Sequence, residues 1–336
     1  MTTPSGLRHL VIYVKSRAVW AVLAVSLLML TACKEERPLR EVTMALSWVH
    51  SSQYSGSYYA DQNGLYAQEG LHVSFVPGSY GHDPMKEFVS GKYDFVIASP
   101  DNLAQARLDG HKVKAVAATY RLHPLGFAVL ESSGIKRPED FPGKTVALPY
   151  SSKAPLFAML RKLNVDPEGM KLLDFTEDFE KLKSGEIDIM AVWVVNELQT
   201  ARRAGLKLNV FAPHDYGITM YSELLVARES TIEQEPELVQ AFVRATLRGW
   251  TEALQDPEKN SRLVLRYDPA LDPAHEFDRL KASAPLIHTG VDRIGWMRAE
   301  DWEAILATLH QEGVLRAMPD ASEIFTTRFM ETPQQP

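Results

Sequence analysis

With 336 residues, 45% hydrophobic and 24% charged, the chain has ordinary globular composition and length for about two lobes of 100–150 residues. A formal net charge of −7 argues against a nucleic-acid partner. One cysteine, Cys33, excludes an internal disulfide and a metal site built on several thiolates.

The first charges, Arg8, Lys15 and Arg17, are all positive. The apolar run Ala18 to Leu30 follows, and then Leu30-Thr31-Ala32-Cys33. A basic start, a short apolar run and small residues describe a secretory signal. The run falls short of the about 20 residues of a comfortable membrane span. L-T-A-C resembles a bacterial lipobox, which implies cleavage before Cys33 and lipid attachment to it; a plain signal anchor is the other reading. Residues 1–32 are thus expected to be a lipoprotein signal peptide and 33–40 a polar tether. Losing 1–32 removes three bases and no acids and takes the charge to −10. The protein is expected to be exported and lipid-anchored to the cell membrane, facing the periplasm or the cell exterior.

Val42 to Leu46 reads as a buried strand. W-V-H-S-S-Q-Y-S-G-S-Y-Y-A, Trp48 to Ala60, follows and leads into a helix-like segment, Tyr58 to Gln68. Strand-to-helix loops of parallel α/β sheets lie at the carboxyl ends of the strands, where ligands bind. Aromatic faces beside small polar groups suit a flat heterocycle, the rings supplying area and the polar atoms orientation. Trp48 and Tyr54, in the loop, are read as ligand contacts; for Tyr58 and Tyr59 a place in the helix core competes. Leu71 to Val76 alternates as a second strand. Pro77 to Pro84 is a turn-rich loop into a helix, Met85 to Ser90. Gly91 to Ala98 is a turn and strand. Ser99 is a helix N-cap with Pro100 at the first helical position, and as a strand terminus it is also a candidate contact. Val113 to Thr119 is a strand, with Tyr120 a candidate at its end.

Leu125 to Leu130 and "I-K-R-P-E-D-F-P-G", Ile135 to Gly143, lead to a strand, Thr145 to Leu148. Pro149-Tyr150-Ser151-Ser152 is then the counterpart of the Trp48 loop, ahead of a helix, Ala154 to Leu163. Tyr150, Ser151 and Ser152 face the cleft if the two loops match, although the serines also suit helix capping. Lys171 to Phe175 is a strand. Phe179 to Asp188 echoes the helix-turn pattern of Phe88 to Asp94. Ile187 to Val195 is an apolar strand running into Trp193 and Asn196-Glu197. Leu208 to Phe211 is a strand before Pro213 to Gly217, in which Tyr216 is a candidate. Glu223 to Ala227 returns to the first lobe. From Glu233 the chain is helical, broken at Pro257, Pro269, Pro273 and Gly290.

Several of these stretches resemble one family. Trp48, then Gln53-Tyr54-Ser55-Gly56, then Tyr58 and Ala60 are similar to solute-binding proteins for thiamin pyrimidine precursors and riboflavin. So is G-L-Y-A-Q-E-G-L-H-V, Gly64 to Val73. The segment Ile135 to Val146 resembles the lobe-one to lobe-two crossing of periplasmic binding proteins. Trp193-Val194-Val195-Asn196-Glu197 matches the family's W-x-x-N-E, although Leu198 replaces the Pro that often follows. The Asp215-Tyr216-Gly217 triplet matches its D-Y-G. The chain thus resembles an ABC-transporter periplasmic solute-binding lipoprotein of the thiamin-pyrimidine-synthase-like family. That resemblance implies an α/β, two-lobe periplasmic-binding-protein fold of type II, each lobe a mixed sheet flanked by helices, with the ligand in the interlobe cleft. Lobe one is expected at 41–127 and 225–336, lobe two at 128–224.

The implied site is Trp48, Tyr54, Ser99, Tyr120, Tyr150, Ser151, Ser152, Trp193, Asn196, Glu197 and Tyr216. A carboxylate such as Glu197 can accept two N–H groups from an aminopyrimidine edge through charge-assisted bonds; a helix cap or a salt bridge is its structural alternative. The expected partners are a small heteroaromatic ligand (a thiamin pyrimidine precursor or a riboflavin-like solute), an ABC permease and a membrane, with the receptor a monomer. No metal, cofactor or catalysis is expected. The family's pyrimidine synthase carries a Lys and a His four apart, where this chain has Ala98 and Asn102. Gly217 to Tyr221 stands in place of its cysteine-rich motif. Such an enzyme, or a receptor for nitrate- or sulfonate-type anions, is the alternative function.

Overall fold

The computed structural model describes residues 38–79 and 81–330. The expected signal segment, Cys33 and the first part of the tether lie outside the described residues. The chain divides by compactness into Met1–Leu39 and Arg40–Pro336, and the second unit holds both sheets.

Its strands are β1 (Arg40–Ala45), β2 (Leu71–Val76), β3 (Phe95–Ala98), β4 (Val113–Tyr120), β5 (Leu125–Leu130), β6 (Thr145–Ala147), β7 (Lys171–Leu173), β8 (Ile189–Trp193), β9 (Leu208–Phe211) and β10 (Ser222–Arg228). Unbroken apolar runs occupy the sheet interiors. All four residues of β3 are buried. The edge strand β2 alternates, with Leu71 and Val73 inward and His72 and Ser74 outward, as a half-covered strand must. The first sheet has the order β2-β1-β3-β10-β4 and the second β7-β6-β8-β5-β9.

Strand direction places the site. In the first sheet β1 runs parallel to β2 and β3, while β10 lies antiparallel between β3 and β4. One edge therefore collects the carboxyl ends of β1 to β4 and the amino end of β10. In the second sheet β6 is parallel to β7 and β8, and β5 is antiparallel to β8 and β9. Its corresponding edge collects the carboxyl ends of β6 to β9 and the amino end of β5. Both chain crossings, 121–124 and 212–221, join these two edges, which holds them opposite each other. The divisions expected at 127/128 and 224/225 fall inside β5 and β10. Since a strand belongs to one sheet, we propose the lobe boundaries at the crossings instead.

The echo between Phe88–Asp94 and Phe179–Asp188 has a physical basis. Asp94 accepts the Thr43 backbone N–H at 2.8 Å and its hydroxyl at 2.9 Å. Asp188 accepts the Thr145 N–H at 2.8 Å. Each lobe thus clamps its first parallel strand with an aspartate from the turn before its third.

The helix expected over Tyr58–Gln68 is two pieces, Ser55–Gln62 and Leu65–Gln68, because Gly64 turns left-handed at φ 70° and ends the first. Its first turn packs against the long helix Pro236–Ala253, whose Phe242 stacks on Phe95 with centroids 3.9 Å apart. The contact depends on two glycines. A Cβ on Gly249 would lie 2.1 Å from the Gly56 carbonyl oxygen, and one on Gly56 2.2 Å from Trp250 Cγ. Among the described residues no helix is long and apolar enough to cross a membrane. Gly249→Ala should cost about 1–3 kcal/mol by overpacking, read as a lower midpoint in urea denaturation; an unchanged midpoint would contradict the close packing.

Candidate functional site

Each facing edge carries one buried carboxylate. In lobe one it is Glu223, at the start of β10. Its backbone is left-handed, at φ 50°. For a non-glycine residue that costs of order 1–3 kcal/mol and persists only where surrounding bonds hold it. Here the Thr119 hydroxyl donates to the Glu223 carbonyl at 2.7 Å. The side chain accepts the Ser47 hydroxyl at 2.9 Å and the Gln53 amide at 2.8 Å, one donor per oxygen. Ser47 has a single proton, so at 2.8 Å the Tyr54 hydroxyl must donate to Ser47. Burial pushes the Glu223 carboxyl up to about 7, against the pull of its two donors.

In lobe two the carboxylate is Glu197, at the first turn of the helix Glu197–Arg203 that follows β8. It accepts the Trp193 backbone N–H at 2.6 Å and the Asn196 side-chain amide at 2.5 Å. Burial raises its pKa, and these two bonds oppose the rise. Each oxygen again has one donor and room for a second. The Asn196 oxygen accepts Arg279 Nη2 at 2.6 Å and lies 3.1 Å from His275 Nε2, both on the lobe-one helix Pro273–Ile287.

The other expected residues divide into two groups. Trp48 and Tyr150 stand at the ends of β1 and β6 and are 37% and 67% exposed, so aromatic surface is present beside both edges. Lys153 Nζ sits 5.1 Å from the centre of the Tyr150 ring. Ser151 is exposed, and Ser99 is half-buried at the N-cap position without a side-chain capping bond. The Ser152 hydroxyl is buried and makes no hydrogen bond among the described residues. Trp193 is half-buried, 5.6 Å centroid to centroid from His123. Tyr216 is half-buried against the lobe-two core.

Two residues sit differently from expectation. Tyr54 belongs to a one-turn helix, Ser52–Tyr54, and its ring is buried in the lobe-one core, edge-on to Tyr58 at 6.3 Å. Only its hydroxyl reaches the polar edge. Tyr120 is also a core residue, edge-on to Trp250 at 6.2 Å, with its hydroxyl donating to Ser283 at 2.9 Å. Tyr58 is core as well, stacked on Tyr267 at 4.3 Å.

Sequence reading missed Glu223, Ser47, Glu276 and Arg279. The signal for Glu223 was present, since a lone acid interrupts the apolar run Met220 to Ala227. Glu276 and Arg279 carried none, because an acid and a base three apart on a helix look like a solvated face. Both are in fact buried. Among the described residues no group of three or more His, Cys, Asp or Glu could hold a metal ion. The arrangement offers carboxylate acceptors and aromatic faces, which is equipment for recognition.

The chain is similar to known proteins over most of its length. The family described as NMT1/THI5 like matches residues 51–260, more than half of the chain. Riboflavin-binding protein RibY of Chloroflexus aurantiacus is 25% identical over 307 residues, 87% of this chain and 86% of that one. The formylaminopyrimidine-binding protein of Halalkalibacterium halodurans is 25% identical over 321 residues, 91% of this chain and 97% of that one. A Legionella pneumophila protein named as a 4-amino-5-hydroxymethyl-2-methylpyrimidine phosphate synthase is 23% identical, over 87% of this chain and 93% of its own. In fold, the periplasmic aliphatic sulphonate binding protein SsuA of Escherichia coli matches with TM-score 0.70 at 16% identity, over 88% of this chain and 95% of that one. The two mixed sheets therefore form the two lobes of the type II periplasmic-binding-protein fold, and the chain belongs to the NMT1/THI5-like family.

Proposed function

We propose that this chain is the solute-binding receptor of an ABC importer and takes a small flat heteroaromatic, of the flavin or aminopyrimidine class, between its lobes. The observation that carries the reading is the buried Glu197 carboxylate, one donor on each oxygen, at the lobe-two edge. A heterocycle with N–H groups on its edge supplies the missing donors. An anion would face two buried acids, Glu197 and Glu223, which repel it when ionised and offer it no positive charge. Relatives named for a flavin and for a pyrimidine support the ligand class.

In this reading Trp48 and Tyr150 cover the faces of the ring. Ser99, Ser151, Ser152, Trp193 and Tyr216 line the rest of the cleft. Tyr54 acts through its hydroxyl, and Asn196 holds Glu197. The receptor is a monomer and binds without chemistry. It is exported, cut before Cys33 and held to the membrane by lipid on Cys33, so that it faces the periplasm or cell exterior beside its permease.

Three outcomes follow. Charge-assisted bonds are worth about 1.5–3 kcal/mol. Glu197→Gln should therefore weaken calorimetric binding of riboflavin or 4-amino-2-methylpyrimidine roughly 10- to 100-fold, and the bound probe should be recovered unaltered. Unchanged affinity would remove Glu197 from the site, and a converted probe would make the protein an enzyme.

Glu223 is protonated more readily folded than unfolded, its carboxyl lying near 7 instead of 4.5. The stability it contributes is full below the unfolded value and is lost as pH rises through the folded one. Glu223→Gln stays neutral, so it should gain on the wild type by on the order of 3 kcal/mol between about pH 5 and pH 8. Parallel stability curves would refute the buried acid.

Expressed in a bacterium that processes lipoproteins, wild type should incorporate labelled palmitate and Cys33→Ser should not. An unlabelled wild type, or equal label in the serine variant, would reject the lipid anchor.

A further inference from the structure

A line of polar contacts, buried at its lobe-one end and part-buried where it crosses between the lobes, runs from the Trp48 loop to Glu197. It starts at Ser52, whose backbone N–H donates to Glu276 Oε2 at 2.5 Å and whose hydroxyl donates to the Glu276 carbonyl at 2.7 Å. Glu276 is 1% exposed, and the cation beside it is Arg279, with Nε 3.5 Å from Oε1. Arg279 Nη2 then donates to Asn196 Oδ1 at 2.6 Å, and Asn196 Nδ2 donates to Glu197 Oε1 at 2.5 Å. The first three residues belong to lobe one and the last two to lobe two.

We propose that Arg279 is a positioning residue for Glu197: it fixes the Asn196 amide from across the lobes and so holds the ligand-reading carboxylate in place. The proposal rests on the ligand role given to Glu197 above. Its logic is donor and acceptor arithmetic. A guanidinium can only donate, so the amide oxygen must face Arg279. The amide nitrogen must then face Glu197, and one carboxylate oxygen is aimed by a group two contacts away. Without the guanidinium, the amide is free to turn and Glu197 loses that donor.

The other interlobe ties differ. Arg203 reaches Asp272 at 2.9 Å and Asp278 at 3.3 Å, and Arg161 reaches Gln311 at 2.9 Å and pairs with Glu312, each through an arginine open to solvent. Such pairs are screened and contribute little. The Arg279–Asn196 contact is sheltered and ends on the residue that holds Glu197; His275 Nε2 lies 3.1 Å from the same Asn196 oxygen, but a neutral imidazole nitrogen can donate or accept, so the guanidinium is what fixes which amide atom faces it. Arg279 is anchored at its own end as well. Its carbonyl accepts the Ser283 hydroxyl at 2.8 Å, and Ser283 in turn accepts Tyr120 at 2.9 Å. Tyr120, although outside the polar edge, thereby supports the helix that carries Arg279.

The test is a double-mutant cycle between Arg279→Met and Glu197→Gln, read as Kd for riboflavin and for 4-amino-2-methylpyrimidine. Arg279→Met should weaken binding at least tenfold in the wild-type background and less than twofold when Glu197 is already Gln. Equal losses in both backgrounds would overturn the proposal, because Arg279 would then act independently of Glu197.

A second arm uses ligand-free protein and separates this proposal from the ligand class. The Asn196 side-chain amide protons, slow to exchange with water in the wild type by NMR, should exchange at least tenfold faster in Arg279→Met. Failure of both probes to bind with that change present would reject the ligand class and keep the relay. Unaltered exchange would reject the relay whatever binds. If Arg279→Met folds poorly, Arg279→Lys replaces it, since one ammonium cannot reach Glu276 and Asn196 together.

Discussion

A carboxylate taken out of water must find donors or give up its charge. That constraint organises the space between the two sheets. Glu223, Glu197 and Glu276 all lie at or beside the facing edges, and each is buried. Their donors come from the loop after β1, from β8 and its following turn, and from the helix Pro273–Ile287. The positions of Ser47, Gln53, Ser52, Asn196 and Arg279 are therefore not independent. Ser47, Gln53 and Ser52 answer acids supplied by distant parts of the chain, while Asn196 answers its neighbour Glu197 and Arg279 answers Glu276 on its own helix. The left-handed backbone of Glu223 is one cost of that arrangement, borne at the point where β10 returns to lobe one.

Strand order explains why these residues meet at all. A fold in which both crossings leave from carboxyl edges forces the loops of the two sheets together, although the loops are far apart in sequence. It also leaves the joint between the lobes thin, two short segments, so that hinge closure is the motion the architecture permits. Closure excludes water, and a further partner for the buried acids then comes from a ligand. A receptor that uses such groups gains selectivity because a wrong guest leaves an acid unpaired.

Much of the fold was legible in the amino-acid sequence. Apolar runs located the strands, and the two strand-to-helix loops with Trp48 and Tyr150 were visible as aromatic stretches in turn-rich context. The repeated Asp94 and Asp188 turns signalled two like lobes. What could not be read was side-chain direction within a turn. One residue of shift in the Ser52–Tyr54 turn decides whether Tyr54 faces a cleft or a core, and pattern does not fix it. Tyr120 closes a strand, which is a place where ligands bind, yet the helix Pro273–Ile287 covers it, a contact more than 150 residues away in sequence. The same distance hid Glu276 and Arg279, ordinary surface residues in any local window. Glu223 was legible in principle, as an acid in an apolar run, and the return strand drew attention away from it.

The central claim is that two lobes grip a flat heterocycle whose N–H edge is read by Glu197. Native mass spectrometry of the protein purified from its source, without added ligand, tests it most directly. The account predicts a retained small molecule of flavin or aminopyrimidine mass, released on unfolding and absent from the Glu197→Gln protein prepared alongside. A retained sulfonate or other anion, or a heterocycle held equally well by both proteins, would contradict it.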